Sequence, residues 1–350
     1  MVSRKRPRIQ DVAERAGVSI STVSNALNGR TAKMSPATRA RIDAAISTLA
    51  FRPNSVARQL KTGHTPMLGL LVPSIANPAF GTLAREVEIA AQDLEGYRVL
   101  LGNTYRSRDK ETSFFEDLLA HGVRGVILCS SLMDQRHLGA AIEKGLVVVS
   151  YDRRAIPGQP LAVDHVSMDN FRAGEMAAQH LIDHGHTRLA FATPSRRTVS
   201  RADKIDGFHA AARRAQILRS SAILEGASHQ DYGDSELAEI GRALAPRIAA
   251  DRHRPTGIVA VNDMMAFGLM AGLRDCGLRV PEDVSVVGID DLYLCSLFRP
   301  ALTSLRPPLA DMARKMVERV IARLADASTP VGEFLFPPRT ISRQSTARIA

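Results

Sequence analysis

Small hydrogen-bonding side chains crowd one short stretch near the amino terminus: Ser21, Thr22, Ser24 and Asn25, with Ile20 beside them. A surface long in such groups and short of acids suits the edges of bases. Asparagine can bind adenine through two hydrogen bonds, serine can serve either base type, and isoleucine can pack on a thymine methyl. Ile20, Ser21 and Asn25 therefore suit base edges, whereas Thr22, Ser24 and Asn28 are better placed for phosphate or capping work. The competing reading is a solvated helix face. Charge separates the two.

Residues 1–61 hold 12 Lys+Arg against 3 Asp+Glu, a net of +9 out of the chain's +10. The remaining residues hold 34 basic and 33 acidic side chains. A solvated basic tail would account for Arg4, Lys5, Arg6 and Arg8. It does not account for the scarcity of acids across three further helices, and phosphate neutralisation does. Other chemistry is weaker. His180, His184 and His186 could suggest a metal, but "LIDHGHTRLAF" reads as a helix ended at Gly185, then a strand. No cysteine or paired acid completes a ligand set, so no metal and no cofactor are expected. Cys129, Cys276 and Cys295 are odd in number and lie in or beside apolar segments, which reads as buried free thiols in a reducing cytoplasm. No apolar run approaches a membrane span, and the amino terminus has no signal-peptide core.

The elements that position the polar cluster are legible. Ile9, Val12, Ala13 and Ala16 recur at helical spacing, and Gly17 can take the left-handed conformation that ends a helix. Ser19 can cap a second helix with Val23, Ala26 and Leu27 inward, closed by Asn28-Gly29. Two short helices joined by a glycine turn form a helix-turn-helix. Ser35-Pro36 opens a third helix, with Ile42, Ala45, Ile46 and Leu49 as its inward face. Pro53 could start a further short helix, Asn54 to Leu60, too short to be stable alone. Lys61 to Pro66 has linker composition.

From Met67 apolar strands alternate with helices: "MLGLLVP", Ala79–Glu95, "YRVLLGN", Asp109–His121, "GVILCS", Leu138–Lys144 and "LVVVSYD". The rhythm restarts with Asn170–Asp183, "RLAFAT", Ala202–Arg214, Glu236–Ala249, "GIVAVN", Met264–Cys276 and "DVSVVGID". The predicted fold class is α/β, with doubly wound parallel sheets covered on both faces. The units are too many for one sheet, so two subdomains split near residue 165 are expected. The late helix Leu309–Leu324 and the final strands would cross back near 292–330. The domains are then a headpiece over 1–61, with its hinge helix at about 53–60, and a core over 62–350.

These residues resemble the lactose/galactose-repressor (LacI/GalR) family of bacterial transcription regulators. The likeness runs through "DVAERAGVSISTVSNALNG", "RPNSVARQL", "NPAF", "GHTRLAF", "VNDMMAFG", "GLRVPEDVSVVGIDD" and "PALTSL", seven motifs in one order. It implies a helix-turn-helix headpiece, a hinge helix and a core like the periplasmic sugar-binding proteins. It also implies a dimer or tetramer on pseudo-palindromic double-stranded operator DNA, with an affinity set by a small molecule. No leucine-heptad tail is present, so a homodimer is the expectation. The implied role is a regulator, in the repressor sense, of carbohydrate or sugar-acid metabolism genes.

By resemblance, Ile20, Ser21 and Asn25 fall at the family's variable specificity positions. Leu60 is the wedge inserted into the minor groove, with Asn54 and Ala57 on the same hinge; Ala57 is small enough to permit close approach. The implied effector residues are Asn77 and Phe80 after the first strand, Asp152 after "LVVVSY", Lys204 before "DGF", Asn262, and Asp290 after "VVGI", around a cleft lined by loops at strand ends. Asn262 could instead cap a helix, and Phe80 could be core. The family usually has arginine where this chain has Lys204, which turns a two-pronged clamp into a point charge. "PSRRTVSRADK", with Arg153 and Arg154, fits either an anionic ligand, such as a sugar acid or sugar phosphate, or plain surface charge. Neither purine-clamping aromatics nor a disaccharide pattern is evident.

Two rival classes compete. A sugar-binding protein without a regulatory role has no use for a basic helix-turn-helix, and an exported one needs a signal peptide. An α/β enzyme would share the sheets, but "SIANPAF" is no phosphate-binding glycine turn, and no nucleophile–base pair stands out.

Overall fold

The computed structural model describes residues 7–27, 34–49, 51, 66–130, 132, 134–155, 162–196, 198–227 and 236–349. Asn28, Asn54, Ala57 and Leu60, and with them the hinge at about 53–60, lie outside the described residues. The chain divides into two compact units, 1–65 and 66–350.

Among its described residues the first unit holds three helices: α1 (Ile9–Ala16), α2 (Ile20–Leu27) and α3 (Pro36–Leu49). Gly17 ends α1 at φ 61, a conformation any side chain would resist by about 1–2 kcal/mol. The Ser19 hydroxyl accepts from the Thr22 amide at 3.1 Å and starts α2. Ser35 does the same for Thr38 at 3.2 Å and starts α3. Val12, Ala13 and Ala16 meet Val23, Ala26, Ile42 and Ala45, with Phe51 closing this small separate core.

Among its described residues the second unit holds two six-stranded sheets. Its first lobe begins with β1 (Met67–Val72), α4 (Pro78–Glu95), β2 (Arg98–Asn103), α5 (Arg108–Ala120) and β3 (Gly125–Leu128). It continues with α6 (His137–Glu143), β4 (Val147–Tyr151) and β5 (Asp164–Met168). The second lobe has α7 (Asn170–Asp183), β6 (Leu189–Pro194), α8 (Val199–Arg214), β7 (Ser221–Gly226), α9 (Glu236–Ala250), β8 (Gly257–Ala260), α10 (Asp263–Asp275), β9 (Ser285–Ile289) and β10 (Thr303–Arg306). Then α11 (Leu309–Ala325) returns to pack on α4 and on β3 to β5, β11 (Glu333–Phe336) joins the first sheet and β12 (Arg339–Ile341) the second. The first sheet runs β11-β5-β4-β3-β1-β2 and the second β12-β10-β9-β8-β6-β7; among the described strands only β12 pairs antiparallel. The chain thus crosses between sheets after Met168, after Arg306 and after Phe336. Parallel strands buried on both faces read as apolar runs, and β1, β3, β6, β8 and β9 are almost wholly buried.

Some strands escape the apolar-run test. In β5, Asp164, His165 and Ser167 are buried polar residues. Asp164 is compensated by Arg319 at 2.8 Å, Arg323 at 3.3 Å and the Gly332 amide at 3.0 Å, all distant in sequence. β7 is an edge strand and is only partly buried. The thiol expectation needs one correction: Cys129 and Cys295 are buried, but Cys276 is exposed. Cys276 caps the far end of α10, beyond that helix's buried face. The histidines serve the fold. His180 meets the Thr346 hydroxyl at 3.0 Å, His186 meets Thr256 at 3.0 Å, and burial pushes His180 down to about 4. Among the described residues no group of His, Cys, Asp or Glu could hold a metal, and no helix is long and apolar enough to cross a membrane.

Candidate nucleic-acid interface and ligand cleft

The polar cluster sits on α2, and helix geometry sorts it. At about 100° per residue, Ile20, Ser24, Ser21 and Asn25 span roughly 140° of the helix, and Val23 and Ala26 fill the opposite side. Val23 and Ala26 are buried, whereas Ile20, Ser21 and Asn25 are exposed, Ile20 at 45%. Thr22 and Ser24 are half-buried. Thr22 donates its amide to the Ser19 hydroxyl and its own hydroxyl lies 2.8 Å from the same oxygen, so it is a capping residue first. The Ser21 hydroxyl also lies 2.8 Å from Ser19, which holds it while leaving further hydrogen-bonding capacity. The exposed face is uncharged and hydrogen-bonding, which is chemistry suited to base edges.

In the second unit the strand order reverses around β1 and around β6, and such switch points open a crevice at the strands' carboxyl ends. Turns after β1, β3 and β4 meet the start of α8 in a small pocket of ≈ 40 Å³, lined by Phe80, Ser130, Tyr151, Asp152, Arg153, Thr198, Val199 and Ser200 among others. A larger cavity of ≈ 790 Å³ runs from α4 to the loops after β9 and β10. Asp290 and Tyr151 line it, and Tyr151 also walls the small pocket. Of the six described non-glycine residues with positive φ, five sit in turns after β2, β4 and β9: Tyr105, Arg106, Asp152, Asp290 and Asp291. Asp290, at φ 120, is the most strained. Strain held at convergent strand ends is typical of sites whose geometry is fixed for a ligand.

The expected effector residues divide by what their atoms already do. Asn77 is buried, and its side chain accepts from the Ala79 amide at 3.1 Å to cap α4. Asn262 accepts from Met265 at 3.0 Å and caps α10. Phe80 packs at the edge of the core and lines the small pocket. Asp152 accepts from Asn170 at 2.9 Å and faces the same pocket. Lys204 is 6% exposed. Burial pushes the Asp290 carboxyl well above the usual carboxylate range; Asp263 and Asp152 add to this and Lys204 opposes it.

The neighbouring Asp263 is not a ligand group. It is fully buried and accepts from the Leu292 amide at 2.7 Å, Ser304 at 2.6 Å and Cys295 at 3.1 Å. Burial still raises it to about 7. Sequence reasoning missed Tyr151 and Asn170, and also Arg106, which bridges the lobes to Glu236 at 3.1 Å. Arg106 lies far from the cleft motifs in sequence and only the fold brings it there.

Residues 8–54 match the bacterial regulatory proteins of the lacI family, and residues 178–346 match the periplasmic binding protein-like domain. The transcriptional regulator GalS of Salmonella typhimurium is 32% identical over 343 residues, covering 97% of this chain and 96% of GalS. The chain belongs to the LacI family. It is a helix-turn-helix transcriptional regulator rather than an enzyme, as its relatives are. Solved LacI-family structures share the fold. The Lac repressor dimer bound to operator and the anti-inducer ONPF is 27% identical, with a TM-score of 0.81 over 98% of this chain and 100% of that one. A LacI-family regulator from Enterococcus faecium with bound ribose is 26% identical, with a TM-score of 0.70 over 81% of this chain and 100% of that one. Helix α2 thus lies within the part of the chain that matches the lacI-family regulators, and β6 to β10 within the part that matches the periplasmic binding protein-like domain.

Proposed function

We propose that this regulator is a cytoplasmic repressor that binds a pseudo-palindromic operator as a homodimer and changes its operator affinity when a sugar-class effector enters the cleft. The observation that carries this is the pairing within one chain of a basic headpiece, exposing an uncharged hydrogen-bonding face, with a strained and ready-formed crevice. The ribose held by the Enterococcus regulator supports the effector class. Exposed apolar side chains support self-association: Ile89, Leu100 and Leu101 on the first lobe, Tyr293, Leu297 and Phe298 on the second. The domain division at about 61 and the crossings between lobes belong to the same reading, because a ligand can act on DNA only by favouring one arrangement of the lobes.

Asn25 tests the base-reading part. Asn25→Ala is expected to weaken binding by about 1–3 kcal/mol at the preferred operator and to relax specificity at one position in each half-site. Competition with an operator library measures this. Uniform weakening at every sequence would place Asn25 on a phosphate, and relaxation in a single half-site would contradict a symmetric dimer.

Asn54, Ala57 and Leu60 are assigned to the minor groove in this proposal, with Leu60 as the wedge. Unstacking a base step bends the duplex and widens the contact surface. Leu60→Ala should therefore reduce operator bending, read by energy transfer between labelled DNA ends, while ligand affinity stays unchanged. Undiminished bending would remove the wedge.

A further inference from the structure

With the cleft read as the effector site, on which this depends, we infer that Glu111 is a positioning residue for the effector, although it lines neither cavity. It turns the Ser130 hydroxyl so that this wall of the small pocket can only accept a hydrogen bond. The pocket therefore selects a ligand hydroxyl that donates one.

Glu111 stands where a buried helix face carries leucine. The buried residues of α5 are Glu111, Phe115 and Leu118, one stripe at helical spacing. Phe115 and Leu118 share a buried cluster with Leu71 and Val126 of the first sheet. Glu111 on the same stripe is 0% exposed. Taking a carboxyl group out of water is costly, so packing alone would be better served by an apolar side chain. Both of its oxygens instead hold groups from other elements. Oε1 accepts from the Ser130 hydroxyl at 2.8 Å, just beyond β3, and Oε2 lies 2.8 Å from Nε2 of His137 at the start of α6. Phe115, one turn along, stacks on the His137 ring with centroids 6.0 Å apart. Gripped on both sides, the carboxyl group has one direction.

Hydrogen-bond accounting then fixes what Ser130 can offer. A serine hydroxyl has one hydrogen to give and two lone pairs, and when unheld it rotates to suit its partner. The Ser130 hydrogen goes to Glu111, and one lone pair takes the Leu132 amide at 3.2 Å. One lone pair is left on a residue that lines the small pocket. The turn is braced as well, because the Leu132 carbonyl accepts from Arg153 at 2.7 Å. Asp152, a second lining residue, is held in a similar way. Asn170 donates to one of its oxygens at 2.9 Å and leaves it further capacity to accept. At ≈ 40 Å³ the pocket has room for one small group and no ring. A hydroxyl satisfies both acceptors in turn, whereas an ether or carbonyl oxygen meets no donor on either.

Calorimetry on the full chain tests this with ribose, galactose and glucose and the monodeoxy analogues of each. At least one sugar should bind, and removing one of its hydroxyls should weaken it about tenfold or more. Ser130→Ala should abolish the effect of removing that hydroxyl, which identifies it as the group in the small pocket. Glu111→Gln is the deciding variant, because it keeps the side chain's size while its amide can give a hydrogen to Ser130 and turn that hydroxyl round. In this variant the loss of the same hydroxyl should matter only about twofold, and the loss of every other hydroxyl should matter as in the parent chain. His137→Leu, which frees one side of the carboxyl group, should reduce the same discrimination partway. Circular dichroism checks that each variant folds. A merely structural Glu111 would weaken a sugar and all its analogues by one factor in both variants. That result overturns the inference, as does discrimination unchanged in Glu111→Gln, in His137→Leu or in Ser130→Ala. Failure of all the sugars to bind would instead overturn the reading of the cleft as a sugar site.

Discussion

A chain lacking residues 1–65 is expected to lose operator binding by about a thousandfold or more, while still folding and binding effector. The size follows from where the charge lies. Residues 1–61 carry +9 of the chain's net +10, so the remainder, at about neutrality, has little to offer a phosphate backbone. Specific binding exceeds non-specific binding by about 10³–10⁷, and its salt dependence scales with the phosphates neutralised. Both quantities should vanish together, and fluorescence anisotropy across a salt series reads both. The remaining core should survive because, among the described residues, its buried clusters are its own. Val12, Val23, Ile42 and their neighbours form one cluster, and the sheets of 66–350 have others. Operator affinity unchanged by the truncation would show that the basic helices are not the DNA-binding part.

The second large effect belongs to Asp290. Asp290→Gly should weaken effector binding by about tenfold to a hundredfold, the worth of one or two hydrogen bonds to a charged or acidic group. Operator affinity without effector should stay at the level of the parent chain. Glycine is the informative replacement, because Asp290 sits at φ 120, a conformation that glycine takes without steric cost. The loss then reports the carboxyl group rather than a rebuilt turn. The adjacent candidates would not give so clear an answer. Asn262 and Asn77 cap helices, and Asp263 holds three hydrogen bonds inside the second lobe. Removing any of these would cost stability first.

The contrast marks what the sequence can and cannot convey. The headpiece is local: Gly17, Ser19 and the apolar positions of α1 and α2 lie within a few turns of one another, and their types state their roles. Strands such as "MLGLLVP" are legible because burial on both faces selects uninterrupted apolar runs. β5 is not, since the partners that make Asp164 tolerable, Arg319 and Arg323, arrive from a helix more than 150 residues later. The cleft behaves like β5. Asp290 could be named from its place after "VVGI", but whether an asparagine caps a helix or faces a ligand depends on side-chain direction. Whether Arg154 or Arg201 is the surface charge depends on Asp203 lying beside the one and not the other. Composition holds neither fact.

The central claim is that occupation of the cleft sets the strength of operator binding. Its most direct test is an anisotropy titration of the full chain on an operator selected from random DNA, run with and without a ligand shown by calorimetry to bind. The parent chain should change its operator affinity by about tenfold or more when the ligand is added, a coupling of the usual size between two sites. Asp290→Gly should shift far less at the same ligand concentration. Equal operator affinity with the cleft filled and empty would contradict the account.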